Sequence, residues 1–81
     1  MKIKILYEDN HLLVAVKPSG ILSQADGSNH EDMLTILKTY LKEKYQYITY
    51  GAKKVKINGE VEEARRNIEA YEMKYYKNLT K

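Results

Sequence analysis

The sequence predicts a small single α+β domain, on three observations. Near the N-terminus a period-two alternation of apolar residues runs directly into a continuous apolar stretch, the pattern of two adjacent strands. A 3.6-residue apolar period follows over 30–46, the mark of an amphipathic helix. The composition, 43% hydrophobic and 31% charged over 81 residues, suits a globular domain and not a disordered tail. A fold of this size buries only about 60–65% of the surface its unfolded chain exposes, so its stability margin is thin.

The elements follow in order. Ile3, Ile5 and Tyr7 alternate with Lys2, Lys4 and Leu6, which predicts a half-buried strand with the first three residues facing inward. Asp9-Asn10 tolerates positive φ, and Leu12-Leu13-Val14-Ala15-Val16 follows at once, so the chain is expected to turn in a tight hairpin. The second strand is apolar on both faces and should be central in its sheet. Lys17-Pro18-Ser19-Gly20 closes it, because Pro cannot donate to a ladder and Gly20 permits a turn. A loop continues to Ser28, with Asp26-Gly27 as a second turn signal.

Asn29 is a candidate helix N-cap, with Glu31 and Asp32 in the first turn where carboxylates meet the positive end of the dipole. Met33, Leu34, Ile36, Leu37, Tyr40 and Leu41 form the apolar stripe of a helix near 30–46. Past Tyr47, a short β-prone stretch over 48–50 is broken by Gly51, and a strand is expected near 53–57. Two readings compete for the C-terminal residues. Asn58-Gly59 between apolar flanks is a hairpin signal. Val61, Ala64, Ile68, Tyr71, Tyr75 and Leu79 at helical spacing, with acids first and Lys74, Lys77 and Lys81 last, favour a C-terminal helix near 61–78. Whether 58–63 is a turn or a helix start stays open at this level.

The longest apolar run, Leu12 to Val16, is far short of the ~20 residues of a membrane span. Glu8 and Asp9 interrupt the N-terminus before a signal-peptide core forms, so no membrane partner and no leader are expected. No Cys is present, which removes disulfides and thiolate metal sites and makes the cytoplasm the default compartment. The net charge of +3 favours an anionic partner. Eight Tyr with no Phe or Trp is an unusual aromatic inventory; tyrosines serve as margins of a small core and also stack on unpaired bases.

Few residues carry chemistry. His11, His30, Asp9, Asp26, Asp32, Ser19, Ser23 and Ser28 form no constellation with ligand or triad spacing, so no metal and no cofactor are expected. Lys17-Pro18-Ser19-Gly20 lacks the glycine spacing of a phosphate loop. The densest basic stretch comprises Lys53, Lys54, Lys56, Arg65 and Arg66, and with Lys17 these are the candidate RNA-binding residues. With two short strands and two helices the core is thin, and homodimerisation is the competing expectation.

The run from Ile5-Leu6-Tyr7-Glu8-Asp9-Asn10-His11-Leu12-Leu13-Val14-Ala15-Val16-Lys17-Pro18-Ser19-Gly20 to Ile21-Leu22 resembles the opening of the catalytic domain of RluA-type RNA pseudouridine synthases, with their "LYEDxHLLVVNKPxGLL" pattern. The likeness covers roughly residues 3–46, leaving 47–81 as a divergent tail of the same domain, and departs at Val16, where the family commonly has Asn or Asp. In the family this helix is followed by "HRLDxxxSG", whose Asp attacks the target uridine. The only aspartates here, Asp9, Asp26 and Asp32, are not preceded by His-Arg-Leu, so no catalytic residue carries over. The resemblance therefore implies a truncated or degenerate, catalytically inactive relative with residual affinity for rRNA or tRNA, against the alternative of a fragment of an active isomerase. Lys54 to Val61 also resembles the "VxVNGxxV" end of S4-type RNA-binding modules.

Overall fold

The computed structural model describes residues 3–56 and 67–77. Their elements are β1 (Lys4–Glu8), β2 (Leu12–Val16), α1 (Met33–Tyr45), β3 (Tyr47–Val55) and β4 (Ile68–Lys77). The four strands form one antiparallel sheet in the order β1-β2-β4-β3, with α1 packed on one face. The α+β class expected from the sequence is the class observed.

The β1–β2 hairpin forms where expected, by a different device. Asp9 takes no positive φ; its carboxylate accepts from the backbone N–H groups of His11 at 2.9 Å and Leu12 at 2.8 Å, and its own N–H donates to the Leu12 carbonyl. The side chain thereby replaces part of a backbone turn. β1 does not keep simple alternation. Ile5 lies opposite Ala15 and Tyr7 opposite Val14, so Leu6 is an extra residue in the ladder. The bulge sends Tyr7 to the face away from α1, where it is 52% exposed, instead of inward with Ile3 and Ile5. Glu8, opposite Leu13, takes the place on the helix side.

Gly20 and Gly27 have φ of 87° and 92°, the left-handed conformation that these turns require of glycine. The helix starts later than 30. Leu22 pairs with Asp32 through bonds from Leu22 N–H to the Glu31 carbonyl and from Met33 N–H to the Leu22 carbonyl, which holds the preceding residues extended. Asp32, not Asn29, is the N-cap, accepting from the Thr35 N–H at 3.0 Å. Met33, Leu37 and Leu41 are the buried stripe, while Leu34, Ile36 and Tyr40 pack at its margins.

β3 is longer than the strand expected near 53–57, of which residue 57 lies outside the described residues. Gly51 does not break it. The ladder absorbs Tyr50 as a bulged residue between Thr49, opposite Tyr75, and Gly51, opposite Lys74. The Lys74 stem lies over Gly51, and a Cβ there would stand 3.4 Å from it.

The C-terminal helix expected near 61–78 is replaced over 68–77 by β4; residues 61–66 and 78, like the 58–63 question, lie outside the described residues. The same residues carry both periods. Ile68, Tyr71 and Tyr75 are helically spaced, yet Glu69, Tyr71, Met73 and Tyr75 alternate with Ile68, Ala70, Glu72, Lys74 and Tyr76. Pairing decides between them. β2 and β3 would each present an unpaired row of backbone groups, and β4 satisfies both, with Leu13 opposite Tyr71 on one side and Lys54 opposite Tyr71 on the other. Tyr71 and Met73, with Tyr75 at the margin, then join Ile3, Leu13, Ala15, Met33, Leu37 and Leu41 in the core.

Candidate nucleic-acid interface

The register sorts the side chains of the sheet into two faces of different chemistry. On the helix side, tyrosines close the core. Tyr40 and Tyr45 donate their hydroxyls to the two carboxylate oxygens of Glu8. Lys44 Nζ approaches the Tyr40 hydroxyl at 3.0 Å and lies 5.2 and 5.1 Å from the centroids of Tyr40 and Tyr45. Tyr45, Tyr47 and Tyr75 stack in sequence with centroids 5.1 and 4.2 Å apart, beside a cavity of about 220 Å³ that Glu8 and Asp9 also line. Burial, followed by the bond to Glu8, raises the Tyr40 pKa, so this hydroxyl stays a donor.

Deeper on the same side, the 6% exposed Glu69 accepts from Ser23 at 2.8 Å and from Tyr71, and pairs with Lys54 at 3.3 Å. Burial pushes the Glu69 pKa up, but Tyr71, Ser23 and Lys54 together outweigh it and hold the carboxyl below the ordinary glutamate range. Burial first, and Glu69 second, raise the pKa of Tyr71. These groups satisfy one another and form a structural network.

The other face has no second layer of helix or strand over it among the described residues. One end is apolar and half-buried, built of Val14, Val16, Val55 and Ile68 around the buried Ala70. The other end is polar and aromatic. Tyr50 and Tyr76 are 69% and 54% exposed, with rings 6.1 Å apart and inclined by 26°. Lys74 stands two residues from Tyr76 on β4 and Lys53 three residues from Tyr50 on β3, where Glu72 meets it at 3.5 Å.

The four candidate RNA-binding lysines among the described residues do not form one patch. Lys53 lies on the open face, while Lys54, its neighbour, points to the helix side and is held by Glu69. Lys56 is exposed just past β3. Lys17 lies beyond the end of β2, separated from β3 by β4, and its ammonium donates to the Ile21 carbonyl at 2.8 Å. Arg65 and Arg66 lie outside the described residues.

The sequence does not bring Tyr50, Tyr76 and Lys74 together, because their convergence depends on the β3 bulge and on 68–77 being a strand. The alternation of residues 68–76 was the available signal. Asp9, Asp26 and Asp32 serve a turn, a turn and a helix cap, and His30 bonds to Ser28. Among the described residues no three His, Cys, Asp or Glu side chains gather as a metal site, and no helix is long and apolar enough to cross a membrane. No family model, curated protein or solved structure matches the chain.

Proposed function

We propose that this chain is an RNA-binding, non-catalytic relative of the opening segment of RluA-type pseudouridine synthases, acting in the cytoplasm. The family string over 5–22 supports the relationship, with the hairpin, the Lys-Pro loop and the helix in the order the resemblance implies. The observation that carries RNA binding is the polar end of the open sheet face. Two exposed tyrosines and two lysines share it with one carboxylate, a surface that offers π-faces to bases and positive charge to phosphates. Catalysis is not part of the proposal, since no aspartate follows His-Arg-Leu.

Filter binding to structured rRNA or tRNA at two salt concentrations tests this. Each phosphate neutralised contributes a slope of about −0.7 to −0.9 to the logarithm of affinity against that of salt. Affinity that is absent, or indifferent to salt, contradicts the proposal. Tritium release from uridine-labelled RNA tests the alternative of an active synthase segment, with no release expected.

A second reading, self-association, is favoured by the edge position of β3, a nine-residue strand whose one partner among the described residues is β4. Lys53 and Lys54 on that edge oppose it, because charge on an edge strand discourages a second chain from pairing there. Light scattering at high protein concentration decides: a strict monomer removes this reading.

A further inference from the structure

We infer that Tyr50 and Tyr76 form a clamp that takes one unpaired base of single-stranded RNA between their rings, with Lys53 and Lys74 holding the adjoining phosphates. The inference rests on the RNA-binding proposal and names the part of the nucleic acid that the open face recognises.

The spacing of the rings is the first argument. Within the helix-side stack the centroids are 4.2 and 5.1 Å apart, and nothing flat fits between. Tyr50 and Tyr76 are similarly near-parallel, at 26°, but stand 6.1 Å apart and face solvent. A base sandwiched between two rings needs about twice the ~3.4 Å rise per base of a nucleic-acid strand. The 6.1 Å is a centroid distance, within the range of about 4.5–7 Å at which offset rings touch, so a base enters only when the two exposed side chains rotate apart.

The strand geometry is the second. Tyr50 reaches the clamp only because it is the bulged residue of β3, set beside Tyr76 of β4, whose ladder partner is Ile48. Bulges re-aim side chains in this way. The third is charge. Beside the clamp, a depression of about 220 Å³ is lined by Gly51, Ala52, Lys53, Glu72 and Lys74. Glu72 pairs with Lys53, whereas Lys74 makes no ion pair among the described residues, so the depression carries a net positive charge that favours an anion, such as a phosphate, over a cation. A residue step of about 3.4 Å along a strand places Lys74 about 7 Å from Tyr76, beside the backbone of a base held there, and Lys53, opposite Glu72, stands one such two-residue step farther along. A duplex offers no free base face to this clamp, and an unpaired strand does.

The test uses the full chain and an oligouridylate of about ten nucleotides, with a blunt duplex of two complementary strands of that length, which has no loop, as the control. Because the chain has no Trp, Tyr76→Trp introduces a single indole reporter. Stacking of a uracil on it is expected to quench its emission with the single strand and not with the duplex. Tyr50→Ala is expected to weaken oligouridylate binding by about 5- to 100-fold, while Tyr50→Phe, which keeps the ring, retains it. The Lys53→Ala/Lys74→Ala double variant is expected to reduce the salt slope by about 1.4. Far-ultraviolet circular dichroism of each variant checks that the sheet is intact. Binding that survives Tyr50→Ala and falls only with the lysine variants overturns the clamp and leaves RNA binding standing. Equal affinity for duplex and single strand overturns the clamp as well. No binding of either RNA at low salt overturns the RNA-binding reading and the clamp together.

Discussion

The two faces of the sheet use the same residue for opposite ends. On the helix side Tyr40, Tyr45, Tyr47, Tyr71 and Tyr75 are packed, stacked or bonded to Glu8 and Glu69. On the open side Tyr7, Tyr50 and Tyr76 are more than half exposed. A chain without Phe or Trp uses tyrosine for its core margin because the ring fills space while the hydroxyl finds a carboxylate. An exposed, stacked pair has no such structural need. The difference separates tyrosines that hold the domain together from tyrosines available to a partner.

The comparison is broken most severely at Tyr71, which is fully buried at the centre of the core. Tyr71→Ala is expected to cost about 3–5 kcal/mol, enough to unfold a domain this small, as urea denaturation would record. Tyr71→Phe keeps the packing and removes one donor from Glu69, at a cost of about 1–3 kcal/mol.

The same pair gives the stability profile its shape. Glu69 has a lowered pKa in the folded state, so its contribution is present above the ordinary value of 4.5 and is lost as pH falls through the folded value. Tyr71 has a raised pKa, so its contribution is full below the ordinary value of 10.0 and is lost as pH rises toward the folded value. A plateau of stability between about 4.5 and 10 is expected, with the fall at the alkaline end reduced in Tyr71→Phe; thermal melts across pH would show it.

A smaller effect runs in the other direction. The Thr49 hydroxyl is buried on the helix side without a hydrogen-bond partner among the described residues. Thr49→Val keeps the shape and removes the unmet group, for an expected gain of about 1 kcal/mol by the same denaturation measurement. Smallest of all is the effect of Tyr50→Ala on stability, expected within about 0.5 kcal/mol because the ring is exposed.

Sequence alone made the hairpin, the central position of β2 and the buried stripe of α1 legible, because each rests on signals within a dozen residues. The N-cap was misplaced because Asn29 and Asp32 are both good caps, and the pairing of Leu22 with Asp32 that selects the second is not local. β4 was hidden for a similar reason. Its apolar residues satisfy two periods, and the strands that choose between them include β2, whose Val16 lies opposite Ile68 across most of the chain. The candidate site inherits both difficulties. Lys53 was visible as part of a basic run, but its separation from Lys54 follows from strand alternation, and Tyr50 joins Tyr76 only through a bulge.

The division of labour between the two faces is tested most directly by the oligouridylate affinity of the Tyr50→Ala/Tyr76→Ala double variant, measured alongside its melting temperature. The account predicts an affinity at least about tenfold weaker than that of the parent chain with melting essentially unchanged. Unchanged affinity, or a loss of affinity matched by a collapse in melting temperature, would contradict it.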